Sequence, residues 1–579
     1  MKKIRFILIT VIALVSFSAF AESLLKEPYK DYKLSCGRPG GELVVPATSD
    51  PKSFNPIVAQ ETSTTQVTSY IFEGLTRTHP LTLEVLPNLA KSWKVSADGK
   101  EWIFYLRQDI KWNDGEKFKA KDVVFTFNSL IYNPDIPASS RDIFTIEGNK
   151  IIVEEAGDYA VKFKLPFVFA PFLRALSQDI LPAHKYKNLV QEGKFSFGLA
   201  LDSKPEDVVG TGPFKLKKYL AGERVILERN PYYYKKDACD NKLPYLDKVV
   251  IVILSNADTA LLKFIEREVD YYALRPHDLG ILGPLKKKQN FTIYNAGPAL
   301  GSNFLVLNQN LGINPKTKKP FVSPYKLNWF QDRRFRRAIS YALDRKKIIN
   351  LIMNGLGLEQ FSPVTAANTY YYNDKVKKHS YNPKKAKEIL SELEFSDTNA
   401  DGFLEDKLGN ELEVNFFTSA NDTQRVQIAS LIKKDLEAVG IKVYFLPLDF
   451  NNLVNKLTVT FDWEMVLIGL TGGIEPYFGK NVWSYEGNLH MWNYSKKPIA
   501  DYESKIESIF NLSAKTLDEE KRKEQFAQWQ EIVSEELPLI YTVVPYSIYA
   551  VRNRFGNLHP TVYGGAFSEI EYIYLKDLN

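Results

Sequence analysis

Between Asn88 and Asn128 the sequence changes its periodicity, and this stretch limits the fold more than any other. Asp98-Gly99 is a hairpin signal, because both central residues of a tight hairpin need positive φ. The run that follows, Trp102, Ile103, Phe104, Tyr105 and Leu106, is aromatic and β-branched, as strands prefer. Asp114-Gly115 marks a second turn. From Ala120 the period becomes helical, and Val123, Val124 and Phe127 share one face. A β-hairpin leading into a helix is therefore expected, in a chain that mixes both kinds of element.

The chain has 579 residues, more than one hydrophobic core usually supports, so at least two domains are expected. Met1 to Ala21 has the grammar of a secretory leader. Lys2, Lys3 and Arg5 precede the apolar run Phe6 to Val15, and Ala19-Phe20-Ala21 fits a cleavage site before Glu22. The apolar run is shorter than the roughly 20 residues a membrane span needs. Without this segment, 72 Lys and Arg stand against 69 Asp and Glu, a balance of +3. So small a charge on a chain this long gives no footprint for nucleic acid. Tyr and Phe number 32 and 36; beyond core packing, such aromatics suit a cleft for amphipathic ligands. Cys36 and Cys239 are the two cysteines. They form either a disulfide or two separate buried thiols, and sequence alone does not give their distance.

Glu22 to Gly41 reads as an irregular lead-in and Glu42 to Val45 as a first strand, followed by a helix from about Val67 to Gly74. Strands are expected near Lys150 to Glu154 and Ala160 to Leu165. Val209-Gly210-Thr211-Gly212-Pro213-Phe214 is a glycine turn between strands and lacks the Lys-Ser/Thr of a phosphate loop. The second half alternates helices and strands, as an α/β domain does. Arg334 to Leu343 is amphipathic. Asp344 caps Arg345 to Asn354, Asn382-Pro383 opens another helix, and Gln424 to Val439 precedes a strand at Ile441 to Leu446. Asp397, Asn399, Asp401 and Gly402 begin like a calcium loop, but the closing glutamate position holds Leu408, so a tight Asx-rich turn is expected.

No catalytic constellation is visible. His79, His184, His277, His379, His490 and His559 are scattered without metal-ligand pairing, and no G-x-S-x-G elbow occurs. A secreted hydrolase using two distant carboxylates is the enzyme alternative. No cofactor and no metal site are expected.

Three phrases carry a family resemblance. They are Trp93, Arg107 and Trp112 with A-x-D-V-V-F at Ala120 to Phe125, then Val209 to Phe214 with Arg224 to Pro231, then R-R-A-I-S-Y-A-L-D-R at Arg336 to Arg345. Together they closely resemble family 5 extracellular solute-binding proteins, the oligopeptide and dipeptide receptors of ABC importers. The likeness runs from about Gly41 to Leu578. It implies the α/β type II periplasmic binding protein fold, two lobes around a cleft with an extra β-rich subdomain in the first lobe. On that basis residues 1–21 are a signal peptide and 22–41 a lead-in. Residues 42–75, 200–295 and 547–579 are assigned to lobe I, 76–199 to its β-rich subdomain and 296–546 to lobe II. The resemblance also implies a periplasmic monomer that closes on its solute and docks on an ABC permease.

Peptide-binding members hold an extended ligand by strand-like hydrogen bonds. They grip its ammonium with an Asp a few residues before a Glu/Asp-Pro pair. Counting back from Glu475-Pro476, that position is Gly472. Either another carboxylate, such as Glu61, holds the amine, or the ligand lacks one there; Gly472→Asp is expected to create or strengthen peptide binding. Matching positions make Gln60, Glu61, Asn303, Phe304, Thr471, Gly472, Gly473, Trp483, His490 and Trp492 the expected ligand-binding residues. The favoured ligand is an oligopeptide or a peptide-like compound. Stacking on Trp483 and Trp492 without an acidic clamp would instead favour an oligosaccharide; a nickel chelate, an opine-like solute or a signalling role are further alternatives.

Overall fold

The computed structural model describes Leu25 and residues 33–576, except positions 48, 60, 147, 255, 315, 316, 421 and 488. The expected leader, part of the lead-in, and Gln60 lie outside the described residues. The chain forms two compact units. An N-terminal unit holds residues 25–274, 282–296 and 548–579, and a central unit holds residues 275–281 and 297–547.

The N-terminal unit begins with strand β1 (Glu42–Ala47) and helix α1 (Thr62–Thr68). The hairpin read from Asp98-Gly99 is β2 (Ala90–Val95) and β3 (Glu101–Leu106), and the following helix is α2 (Ala120–Phe125). With β4 (Ile152–Glu155) and β5 (Ala160–Lys164) the hairpin makes an antiparallel sheet of order β2-β3-β5-β4. Side chains alternate along a strand, so Trp102 and Phe104 share the buried face of β3 and pack against Phe172. Strands β6 (Phe214–Leu220), β7 (Arg224–Arg229) and β8 (Lys248–Ile253) join β1 in the order β1-β8-β7-β6. Here β1 and β8 are parallel, Glu42 opposite Lys248, and Leu43, Val45, Leu227, Val249 and Ile251 enter one core.

The helix expected over Val67–Gly74 is displaced toward the N-terminus. Beyond α1 the Ile71 carbonyl accepts from Gly212 N at 2.8 Å and the Tyr70 carbonyl from Phe214 N at 3.0 Å. These tertiary bonds take up acceptors that a longer helix would use itself. The glycines of the Val209 to Phe214 turn permit the approach, since a Cβ on Gly210 would lie 2.0 Å from the Ile71 oxygen. Cys36 and Cys239 are disulfide-bonded, with Cα atoms 6.2 Å apart. Peptide mapping without reductant is expected to recover this linked pair. Reduction is expected to lower stability by about 2–4 kcal/mol, read as a fall in Tm, because the crosslink restricts the unfolded chain. Two alkylatable thiols in native protein would contradict the pairing.

Strands β9 (Tyr271–Ala273) and β10 (Phe291–Pro298) close this part of the chain, and the central unit follows with β11 (Ser302–Leu307). Helices α3 (Arg333–Ala342) and α4 (Arg345–Ile352) are capped by Asp332 and Asp344, which accept from Arg334 N at 2.7 Å and Lys347 N at 2.9 Å. The helix Pro383–Glu392 has Asn382 as its cap. Then come β12 (Glu413–Ser419), α5 (Thr423–Glu437), β13 (Lys442–Leu448), β14 (Met465–Leu470), α6 (Asp501–Lys515), α7 (Glu519–Glu536) and β15 (Leu539–Tyr541). The sheet order is β13-β12-β14-β11-β15. Strands β14, β11 and β15 are largely buried on both faces, which explains their near-continuous apolar runs, while the edge strand β13 leaves Tyr444 and Leu446 exposed. Leu305, Leu307, Phe416, Met465, Leu467 and Ile540 enter one core, while Phe304, Val306, Phe417, Val466, Ile468 and Tyr541 enter the other. The turn at Asp397 is Asx-rich as read: Asn399 Oδ1 accepts from Asp401 N at 2.9 Å, and Asp397 Oδ2 from Gly402 N at 3.0 Å. Strand β16 (Val543–Arg552) pairs through Val543–Pro545 with Gly357–Glu359 of the central unit, and through Tyr549–Val551 with β9 of the N-terminal unit.

Candidate functional site

Each unit carries pockets of its own. One pocket in the central unit measures about 120 Å3 and lies beside the end of β14. Phe304, Thr471, Gly472, Gly473, Trp483 and Trp529 line it. β14 delivers Leu470 into the loop Thr471-Gly472-Gly473, and α7 supplies Trp529. Gly472 touches the backbone: a Cβ there would lie 1.8 Å from the Leu300 carbonyl oxygen and 2.3 Å from its carbon. Around Gly473 nothing lies within 4 Å of such an atom. Two polar atoms of lining residues, Thr365 Oγ1 and Trp529 Nε1, are buried without a hydrogen-bond partner among the described residues.

Glu475 lines the same pocket but is already engaged. Its carboxylate accepts from both terminal nitrogens of Arg522, at 2.9 Å for Nη1, and from Tyr477 N at 3.1 Å. Arg522 Nη1 also donates to the Tyr371 hydroxyl at 2.6 Å. Asn368 Nδ2 donates to the Ile474 carbonyl at 2.8 Å and holds the loop from behind.

Two expected binding residues are corrected. His490 is fully buried, its Nδ1 paired with the Val482 carbonyl at 2.9 Å and its Nε2 with Glu503 Oε1 at 3.1 Å. Trp492 is equally buried and donates to the same Glu503 oxygen at 2.7 Å. Glu503 also accepts from Asn493 Nδ2 and Ile499 N, so this cluster is a satisfied polar hub in the core rather than a ligand surface. Trp483 does line the pocket, packed edge-on against Trp529 at 5.1 Å between ring centres. Asn303 is turned elsewhere: its Oδ1 accepts from Arg425 Nε at 3.1 Å and Nη2 at 3.0 Å. The Glu61 carboxylate takes the Thr64 hydroxyl at the start of α1.

The N-terminal unit has a larger pocket of about 570 Å3, which sequence reasoning missed. Its walls come from α1 and the segment after it, from Ser177 and Asp179, from Tyr233 and Lys235, and from residues 563–571. Segments this far apart leave no spacing to detect. Charged groups dominate one side. Arg77 Nη1 pairs with Glu569 at 2.5 Å, and Lys235 Nζ with Glu571 at 2.8 Å and Glu73 at 3.5 Å. Burial opposes the charge of Lys235, but Glu571, Tyr234 and Glu73 outweigh it and raise its pKa. Burial also pushes the Glu73 carboxyl up.

No helix among the described residues is long and apolar enough to cross a membrane. The fold is that of type II periplasmic binding proteins. The oligopeptide-binding protein AppA of Bacillus subtilis, solved in complex with a nonapeptide, superposes with a TM-score of 0.73 at 23% identity, covering 94% of this chain and 100% of that one. Residues 84–488 match the family of bacterial extracellular solute-binding proteins, family 5, and the chain belongs to it. A probable ABC transporter-binding protein of Deinococcus radiodurans is 29% identical over 86% of both chains. The curated AppA sequence of B. subtilis, an oligopeptide-binding protein, is 27% identical over 81% of both.

Proposed function

We propose that this protein is the exported binding component of an ABC importer. It captures oligopeptides or peptide-like solutes and delivers them to a membrane permease. It works as a periplasmic monomer released by cleavage after Ala21, by stoichiometric binding without turnover. Family membership over residues 84–488 together with an oligopeptide-binding relative that matches 81% of the chain supports this reading. The central pocket suits a ligand backbone: the Thr471–Gly473 loop offers uncharged groups between the aromatic walls of Phe304, Trp483 and Trp529. One observation favours a second reading. Glu475 is neutralised by Arg522, and two tryptophans line the pocket, as a neutral oligosaccharide would also require.

Native mass spectrometry of periplasmic protein, followed by denaturing release, separates the two. A series of co-purified peptides is the expected result. A single carbohydrate mass would overturn the peptide reading and leave the family assignment standing.

A further inference from the structure

We propose that the central unit holds a binding site for a small oxyanion of the phosphate or sulfate kind, in a cavity between Arg336 and the start of α6. The site goes beyond solute capture. Its cavity, of about 150 Å3, shares no lining residue with the pocket beside β14.

One wall carries a charge that the fold leaves unanswered. Arg336 lies on α3 and is 1% exposed. Among the described residues, its hydrogen bonds all go to uncharged oxygens. Nε donates to the Glu536 carbonyl at 2.9 Å. Nη1 donates to the Phe330 and Gln331 carbonyls at 2.7 and 2.8 Å and to Gln309 Oε1 at 3.5 Å. Nη2 makes no hydrogen bond among the described residues and is not sealed from solvent, so it is the corner of the guanidinium left to the cavity that Arg336 lines. Buried charges are normally paired.

The acid nearest to hand is already spent. Glu536 lines the cavity, but its carboxylate pairs with Arg333 Nη1 at 2.9 Å, at the exposed mouth. Two guanidinium groups therefore share one carboxylate in the cavity wall, and Arg336 is the one without it. Burial lowers the Arg336 pKa more than nearby Glu536 and Tyr502 raise it. A bound anion would supply the missing counter-charge.

The other wall is the start of α6, to which Ala500 and Tyr502 belong. The first N–H groups of a helix have no acceptor within it, and its aligned peptides make that end positive. Helix α6 runs for 15 residues, and the residue at its N-cap is Ala500, whose methyl group cannot accept as Ser, Thr, Asn or Asp would. The two acids of its first turn do not fill the place. Glu503 is turned into the hub with His490 and Trp492, and Asp501 is exposed and lies outside the cavity lining. An oxyanion here can accept from a guanidinium and from helix N–H groups together, the two kinds of donor that suit it best.

Calorimetry of the mature protein with inorganic phosphate, at an ionic strength held constant with chloride, tests this. One saturable site is expected. Ala500→Asp gives α6 an acceptor of its own and puts a carboxylate at the cavity wall. It is expected to weaken phosphate at least about tenfold while the Tm stays level or rises, which separates loss of the site from loss of the fold. Glu536→Gln removes the acid that competes for the two arginines and is expected to tighten phosphate. No saturable heat with phosphate, or equal phosphate binding in wild type and Ala500→Asp, would overturn the site. Solute co-purifying with the protein is expected to be the same in wild type and Ala500→Asp, so the solute reading and this site stand or fall separately.

Discussion

Gly472→Asp is expected to lose solute binding by at least about tenfold and to lower stability by about 1–3 kcal/mol, the usual penalty of forcing extra atoms into a packed site. The family resemblance implies that this is the position of the ammonium-holding acid of peptide receptors, so from sequence the same change promised a gain. The structure reverses that expectation. The new Cβ would lie 1.8 Å from the Leu300 oxygen and 3.0 Å from Gly301 N, and both obstacles are backbone. The loop would have to leave its place beside Trp483 and Trp529. Gly473→Asp is the informative partner, since no atom lies within 4 Å of its Cβ. It is expected to keep the wild-type melting temperature and to add an acid at the pocket wall, strengthening peptides with free amines over acetylated ones. Calorimetry with one peptide in both forms checks this pair. A well-folded Gly472→Asp protein with tighter peptide binding would refute the loop geometry.

Arg522→Ala is expected to destabilise the protein by about 3–5 kcal/mol, because it leaves a buried carboxylate without its counter-charge. Arg522 and Glu475 side chains are 3% and 2% exposed. Removal of the guanidinium also deprives the Tyr371 hydroxyl and the Ser513 carbonyl of a donor. The effect should appear as a shifted urea midpoint. Arg522→Met combined with Glu475→Leu is expected to recover much of the loss, since an apolar pair of similar volume avoids both desolvation penalties. Equal stability of Arg522→Ala and wild type would show that this pair contributes little.

Elements with strong local signals were legible. The Asp98-Gly99 hairpin, the aspartate cap at Asp344, and the strand read at Ile441 to Leu446 all follow from periodicity and turn chemistry. Helix α1 was misplaced because Thr62–Thr68 is rich in threonine, a modest helix former, while Tyr70 and Ile71 look helical yet spend their carbonyls on Gly212 and Phe214. His490 and Trp492 drew attention as chemistry-bearing types, but a binding wall and a core hub use the same residues; only burial and the Glu503 bonds tell them apart. The acidic cavity was illegible for another reason. Glu73, Asp179, Lys235 and Glu571 are contributed by four separate stretches, and nothing in the sequence records that they meet.

The division of the chain also sets an order for synthesis. Residues 297–547 supply almost all of the central unit, so its cores can assemble as soon as that stretch has emerged. The N-terminal unit, made first, must wait for the last part of the chain. Val551, Phe555, Leu558, Ile570, Ile573 and Leu575 all belong to its core, and β16 supplies the partner for Tyr271–Ala273. Domains usually fold in the order they are made; here the later-made unit is the first that can finish. Until then, the core that β1 and β8 enter lacks its C-terminal packing partners, and apolar surface left open in this way makes a nascent chain prone to aggregation.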